Sequence, residues 1–171
     1  MRPSERLAWA AEGVAPRETD RVLEAGCGHG VLLSLLAARV PDGEVVGVDR
    51  SATMTAAAGR RNAVAVATGR VRLITAALTS ADVGEAPFDV VVSFDVRAFW
   101  TPPAPEWDIV ARVLRPGGRV VVAFSLMTEE AFEPVTAAVA RLAYERGIER
   151  VAVHRRATTP YESVAVELRR V

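Results

Sequence analysis

Short apolar runs rich in valine recur along the chain, separated by longer segments of mixed polarity. Three of these runs, at 45–48, 90–92 and 120–122, contain only valine and glycine, and two further candidates lie at 21–24 and 71–74. A strand without polar alternation is buried on both faces, as in a parallel sheet that is covered by helices. The pattern therefore predicts strands in the interior of a layered structure.

Between these runs, apolar residues repeat at helical spacing. The three stripes are Leu32, Leu35, Leu36 and Val40; Trp107, Val110, Ala111 and Leu114; and Phe132, Val135, Val139 and Leu142. The Pro-Gly-Gly at 116–118 is expected to end the second helix. The third helix is expected to start near Thr128 and stop at Gly147, with Pro134 shifting its start or kinking it.

The last segment has a different pattern. Val164, Val166 and Leu168 alternate with small or polar residues, which predicts a half-exposed antiparallel strand near an edge, paired with 151–153. Strands that alternate with helices imply right-handed crossovers. The sequence therefore predicts an α/β fold: a doubly wound, Rossmann-like sheet of seven mostly parallel strands with an antiparallel C-terminal strand.

Composition restricts the class of protein. A chain of 171 residues suits a single domain over 1–171, and its 21 acids balance its 21 bases, so no long-range field attracts nucleic acid or anionic lipid. Cys27 is the only cysteine, and the apolar stretch at 31–38 is too short to span a bilayer. We expect a cytoplasmic protein without a membrane partner. His29 and His154 belong to no cluster of metal-ligand type, so no metal is expected.

The segment VLEAGCGHG at 22–30 is the strongest local signal, because a strand there ends in a glycine-rich turn that leads into a helix. A dinucleotide fingerprint needs a third glycine where this chain has Val31, and the phosphate loop of NTPases needs a lysine, which the chain lacks. Glu24 would repel a pyrophosphate but is compatible with a ligand that carries an ammonium group. Asp49 ends the second strand; its carboxylate is suited to a ribose diol, although a helix cap before Ser51 is the alternative.

Four segments resemble the class I S-adenosylmethionine-dependent methyltransferases, in the order and spacing of that family. VLEAGCGHG resembles the family's first motif, VVGVDRSATM its second strand with a ribose-binding acid, FDVVVSFDV its fourth strand and LRPGGRVVVAF its fifth. The resemblance implies the family's fold with a final antiparallel strand, S-adenosylmethionine as the cofactor, and methyl transfer.

The resemblance also implies which residues hold the cofactor. They are Glu24, Gly26, Gly28, Gly30, Asp49, Arg50, Met54, Ala77, Leu78, Ser93 and Phe94. Ala77 stands about where many relatives have an acid that bonds the adenine amino group. Backbone groups, packing or Asp82 on the next loop would then hold the adenine.

The acceptor is expected beyond the carboxyl ends of the strands. Asp95 and His154 are candidate general bases there, with a contact to the methionine ammonium or a solvated position as the alternatives. Phe99 and Trp100 either hold a flat acceptor or pack against the following helix. A lid is expected from the N-terminal helix around Leu7, Trp9 and Val14, or from a second copy of the chain in a homodimer.

These observations favour methyl transfer to a small-molecule acceptor, mainly by proximity and orientation. A cofactor-sensing or partner-stabilising module without catalysis is the alternative, and Val31 argues against a nicotinamide-dependent oxidoreductase. The tip of the fourth strand lacks the Asn/Asp-Pro-Pro-aromatic segment of DNA amino-methylating enzymes, and the arginine pairs at 60–61, 155–156 and 169–170 are interpreted as solvated faces. Nucleic-acid acceptors are therefore disfavoured.

Overall fold

The computed structural model describes residues 4–171, which form one sheet with helices on both faces. The strands are β1 Arg21–Ala25, β2 Glu44–Asp49, β3 Val71–Thr75, β4 Phe88–Phe94, β5 Leu114–Leu126, β6 Ile148–Arg156 and β7 Glu162–Arg170. The helices are α1 Glu5–Val14, α2 Val31–Ala37, α3 Ala52–Arg61, α4 Ala63–Ala67, α5 Glu106–Val113 and α6 Phe132–Tyr144. Short 3₁₀ turns lie at Leu78–Ser80, Arg97–Phe99 and Glu129–Ala131.

The seven strands lie in the order β3-β2-β1-β4-β5-β7-β6. The first five are parallel, and β7 is inserted antiparallel between β5 and β6. The chain runs outward from β1 to β3 and then returns to add β4 on the other side of β1. Such a reversal leaves a crevice between the connections that leave β1 and β4, which is where open α/β sheets bind ligands.

Each face of the sheet carries its own apolar core. The face under α5 and α6 is filled by Trp107, Phe88 and Phe124, and the opposite face under α1 and α2 by Val22 and Leu36. Both sides of the central strands are thus covered, as their unbroken valine runs predict. Within residues 4–171, every helix is too short or too polar to cross a bilayer.

The seven predicted strands are confirmed, but two helices end earlier than predicted. Val40, counted in the first stripe, lies beyond α2, which ends at Ala37. Leu114 was expected on the last turn of the second helix, whereas the structure ends α5 at Val113 and begins β5 at Leu114. Leu114 is extended, with ψ 132°, and is paired with Phe88 in the sheet. The Pro-Gly-Gly at 116–118 therefore lies in the irregular start of β5, because tertiary pairing takes the chain out of the helix about two residues before Pro116.

The C-terminal strand also differs from the prediction. β7 is antiparallel, as expected, but it is not half-exposed, since both Val164 and Ala165 are buried on opposite faces. Small residues on one face of β7 lie beneath α1 rather than in water. The exposed edge is β6, where Val151 is 57% exposed.

The third predicted helix is confirmed as α6, Phe132–Tyr144. Pro134 stands in its first turn, where a missing N–H costs no helical hydrogen bond. The helix therefore begins at this turn rather than kinking.

Candidate functional site

A crevice of about 580 Å³ opens at the carboxyl ends of the parallel strands. Its volume falls in the range of roughly 300–1,000 Å³ that small-molecule sites occupy. Its lining comes from the ends of β1, β2 and β4, the segments after β3 and β4, and the start of α5: Ala25, Gly26, Val48, Asp49, Arg50, Ala76, Ala77, Leu78, Phe94, Asp95, Val96, Arg97, Ala98, Phe99 and Glu106.

The glycine-rich turn forms the inner end of the crevice. The backbone N–H groups of Gly26 and Cys27 both donate to the carbonyl oxygen of Val48, at 2.8 and 3.0 Å, which ties the turn to β2. Gly26 has a φ of 75°, and a Cβ there would lie 2.5 Å from a methyl of Val96. Glycine is therefore required by both conformation and space.

Asp49 connects the tip of β2 to this turn. Its Oδ2 accepts a hydrogen bond from the backbone N–H of Gly28 at 2.9 Å, and its Oδ1 accepts one from the N–H of Ser51 at 2.9 Å. A carboxylate has about four acceptor positions, so roughly two stay free toward the crevice. The sequence left two alternatives for Asp49, a cap before Ser51 or a ligand of a ribose diol. The structure shows that its carboxylate caps Ser51 and still has acceptor positions for a diol.

Glu24 lies beneath the turn and is only 3% exposed. Its Oε2 is buried without a hydrogen-bond partner. Burial, and to a smaller extent the charge of Asp49, raises the pKa of this carboxyl well above its usual range. The same causes, burial first and then the charges of Glu24 and Asp49, raise the pKa of the Cys27 thiol to about 12. Glu24 does not itself line the crevice.

Asp95 ties the tips of β4 and β5 together. Its backbone N–H donates to the carbonyl of Ala123 at 2.9 Å, and its Oδ1 accepts from the N–H of Ser125 at 2.6 Å. Its Oδ2 accepts from the Ser125 hydroxyl at 2.9 Å and from Arg6 Nη1 at 3.3 Å. A carboxylate with these donors is already engaged, which weighs against Asp95 as a general base.

Arg6, on α1, is a residue that the sequence did not single out. Its guanidinium pairs with Asp95, also donates to the Ser125 hydroxyl, and lies 5.7 Å from the centroid of the Phe94 ring. No local pattern marks it, because Arg6 and Asp95 are 89 positions apart. The first turn of α1 therefore reaches the mouth of the crevice, while Leu7 and Trp9 pack on the sheet face below.

Glu106 is a second residue that sequence reasoning missed. It is the first residue of α5 and lines the crevice, and its Oε2 is buried without a hydrogen-bond partner. The neighbouring Trp107 is buried and donates from its indole Nε1 to the carbonyl of Phe99 at 3.0 Å. In the sequence, Glu106 is indistinguishable from an ordinary acid in the first turn of a helix.

The structure brings only part of the predicted set to the crevice. Of the residues implied by the resemblance, those that line it are Gly26, Asp49, Arg50, Ala77, Leu78 and Phe94. The others lie in or behind the turn, in the core or on the surface: Glu24, Gly28, Gly30, Ser93 and Met54. Asp82 borders a separate groove, where its Oδ1 accepts from the N–H of Gly84 at 3.0 Å.

His154 does not face the crevice. It lies within β6 and is 54% exposed; its Nε2 is 3.3 Å from an oxygen of Glu167, and it lines a separate groove beside Trp9. The prediction that His154 is a general base at the crevice is therefore wrong, because the alternation of side chains along β6 directs His154 to the face under α1.

The two aromatic residues after β4 serve packing. Phe99 is buried edge-to-face against Trp107 of α5, with ring centroids 5.2 Å apart. Trp100 packs on Phe124 with centroids 5.4 Å apart and is not part of the crevice lining. Phe99 therefore packs against the following helix, as the structural alternative expects, while it also lines the crevice. Trp100 packs against β5 instead of the helix.

Comparison with known proteins identifies relatives. A family model described as a methyltransferase domain matches residues 22–118. A ubiquinone biosynthesis O-methyltransferase of Paracidovorax citrulli is 30% identical over 116 residues, 67% of this chain and 47% of the relative. A ubiquinone/menaquinone biosynthesis C-methyltransferase of Syntrophotalea carbinolica is 34% identical over 118 residues, 68% of this chain and 48% of the relative. The chain thus spans about half the length of these curated relatives.

Solved structures show the same fold. A S-adenosylmethionine-dependent methyltransferase from Aquifex aeolicus superposes with a TM-score of 0.78 at 17% identity, covering 98% of this chain and 90% of that one. This likeness shows that the α/β fold with its seven-stranded sheet is shared.

Proposed function

Because this chain belongs to the methyltransferase domain family, we propose that it transfers a methyl group from S-adenosylmethionine to a small-molecule acceptor, mainly by proximity and orientation. The observation that carries the proposal is the crevice in which Asp49 keeps free acceptor positions next to the glycine-rich turn.

The crevice fits the chemistry of this cofactor. The ligand brings two positive charges, an ammonium and a sulfonium, and the lining supplies the carboxylates of Asp49, Asp95 and Glu106. The bare turn at Gly26 admits a ligand close to the backbone. The unpartnered oxygen of Glu106, which lines the crevice, is an acceptor that a ligand N–H group would satisfy.

The residues of the crevice act by binding and orienting. Asp49 holds the ribose diol, and the turn with Glu24 beneath it receives the methionine end. Bound S-adenosylmethionine supplies a methyl group on a sulfonium, which is an electrophile. The Phe94 ring and the Asp95–Arg6 pair stand at the mouth of the crevice, on the side proposed for the acceptor.

The acceptor is proposed as a small organic molecule. The two curated relatives are named for O- and C-methylation in quinone biosynthesis. Quinone precursors are therefore the first compounds to test as methyl acceptors. Nucleic acid is not proposed, because the 21 acids balance the 21 bases and leave no net positive charge to attract it. A second copy of the chain remains the proposed cover for the open mouth.

Calorimetry with S-adenosylmethionine and S-adenosylhomocysteine tests the cofactor part. We expect binding by the wild type and at least a tenfold weaker affinity for Asp49→Ala, since two charge-assisted hydrogen bonds are lost. Asp42→Ala, at an exposed acid, is the matched control. An unchanged dissociation constant for Asp49→Ala in a folded protein would remove Asp49 from the ribose.

The acceptor part is tested by release of S-adenosylhomocysteine with the panel of quinone precursors. A second candidate is a module that binds the cofactor without catalysis. This candidate is favoured by the residues that line the crevice. Within residues 4–171, that lining contains no histidine, cysteine or tyrosine to serve as a general base. Binding without turnover across the panel would select that module.

A further inference from the structure

Three carboxylates line the crevice, and two of them already accept hydrogen bonds from the protein. Asp49 accepts from the N–H groups of Gly28 and Ser51, and Asp95 from Ser125 and Arg6. Glu106 is different: its Oε2 is buried, and neither of its oxygens accepts a hydrogen bond within the described part of the chain. A buried acceptor without a partner is rare in native proteins and calls for a specific explanation.

The position of Glu106 is set by rigid packing rather than by its own side chain. The next residue, Trp107, is 0% exposed, and its indole is pinned to Phe99 by a hydrogen bond of 3.0 Å and an edge-to-face contact. A glutamate at the first turn of a surface helix would ordinarily extend into water. Here the anchored turn holds the carboxylate against the crevice instead.

The segment after β3 that lines the same crevice offers no side-chain acceptor, since it consists of Ala76, Ala77 and Leu78. With the ribose on Asp49, the acceptor for the base must come from another part of the lining. Glu106 is the acid of that lining whose carboxylate has an unpartnered oxygen.

We propose that the carboxylate of Glu106 accepts a hydrogen bond from the 6-amino group of the adenine, so that α5 supplies the acid that reads the base. The inference rests on the proposed function, because it requires an adenine nucleoside in the crevice. The ring nitrogens N1, N3 and N7 of adenine are acceptors, so the 6-amino group is the donor that the base offers to a carboxylate. Asp82, the acid expected from the sequence, borders another groove.

The test compares two ligands that differ only at this group. S-adenosylhomocysteine carries the 6-amino donor, and its 6-deamino analogue, with unsubstituted purine as the base, carries a hydrogen in its place and keeps N1 as an acceptor. Calorimetry measures both dissociation constants for the wild type, for Glu106→Gln and for Asp82→Asn as the matched control. Thermal unfolding verifies that each variant is folded.

We expect the wild type and Asp82→Asn to prefer S-adenosylhomocysteine by roughly ten- to a hundredfold, as for a hydrogen bond to a charged group. Glu106→Gln should lose most of this preference, because a neutral amide oxygen accepts the 6-amino hydrogen bond more weakly than a carboxylate does. Equal affinities for both ligands in the wild type, or an unchanged preference in Glu106→Gln, would overturn the role of Glu106 and leave the proposed function standing. A wild type that binds neither ligand would overturn both, and the wild-type comparison stays decisive even if the variant does not fold.

Discussion

Replacing the buried carboxyl of Glu24 with an amide should change how stability depends on pH. Glu24 is 3% exposed with an unpartnered oxygen, and burial raises its pKa well above the usual value of 4.5. A raised folded-state pKa means that the folded protein binds more protons than the unfolded chain between the two pKa values. Stability is therefore greatest below the unfolded pKa, and it is lost as pH rises through the folded pKa.

The magnitude follows from the linkage. Within that window the Glu24 carboxyl costs the wild type about 1.4 kcal/mol per pH unit, and Glu24→Gln removes this cost. For a domain of this size, 1 kcal/mol shifts Tm by roughly 2–4 °C. The Tm of the variant should therefore exceed that of the wild type by an amount that grows as pH rises from 4.5, by about 3–6 °C per pH unit until the folded pKa is reached.

Thermal unfolding of both proteins from pH 4 to pH 8, without ligand, measures this difference. Glu149→Gln serves as the control, because Glu149 is an exposed acid on β6 and should follow the wild-type curve. If the curves of Glu24→Gln and wild type ran parallel over the whole range, the buried, proton-holding state of Glu24 would be refuted.

Two further predictions concern the same turn. Gly26→Ala should destabilise the protein by about 2 kcal/mol or more, since a Cβ would lie 2.5 Å from Val96 at a φ of 75°. Gly69→Ala is the control, because Gly69 has the same φ of 75° but open space around it, and chemical denaturation of the two variants isolates the cost of the clash. Equal losses of stability in both variants would contradict the clash. The Cys27 thiol, with its pKa raised to about 12, should react with a thiol reagent at pH 8 far more slowly than in urea-unfolded protein; comparable rates would show an accessible thiolate instead.

The sequence by itself determined the seven strands, the helices α1, α2, α5 and α6, the glycine-rich turn and the acid at the end of β2. These features follow from local rules: valine runs favour buried strands, and a strand followed by alternate glycines and a helix makes a turn open to a ligand. The signal is contained within a few residues, so neighbours in sequence suffice to recognise it. Asp49 was found in this way, and the structure places it in the crevice.

Only the tertiary structure decided which side chains meet at the crevice. Arg6 reaches Asp95 across 89 positions and Ser125 across 119, and Glu106 enters the crevice because Trp107 locks the start of α5 against Phe99. Burial also reversed the expectation for β7, whose alternating pattern indicated an exposed face that α1 in fact covers. Such contacts depend on how whole elements pack in three dimensions, and no pattern along the chain records that packing.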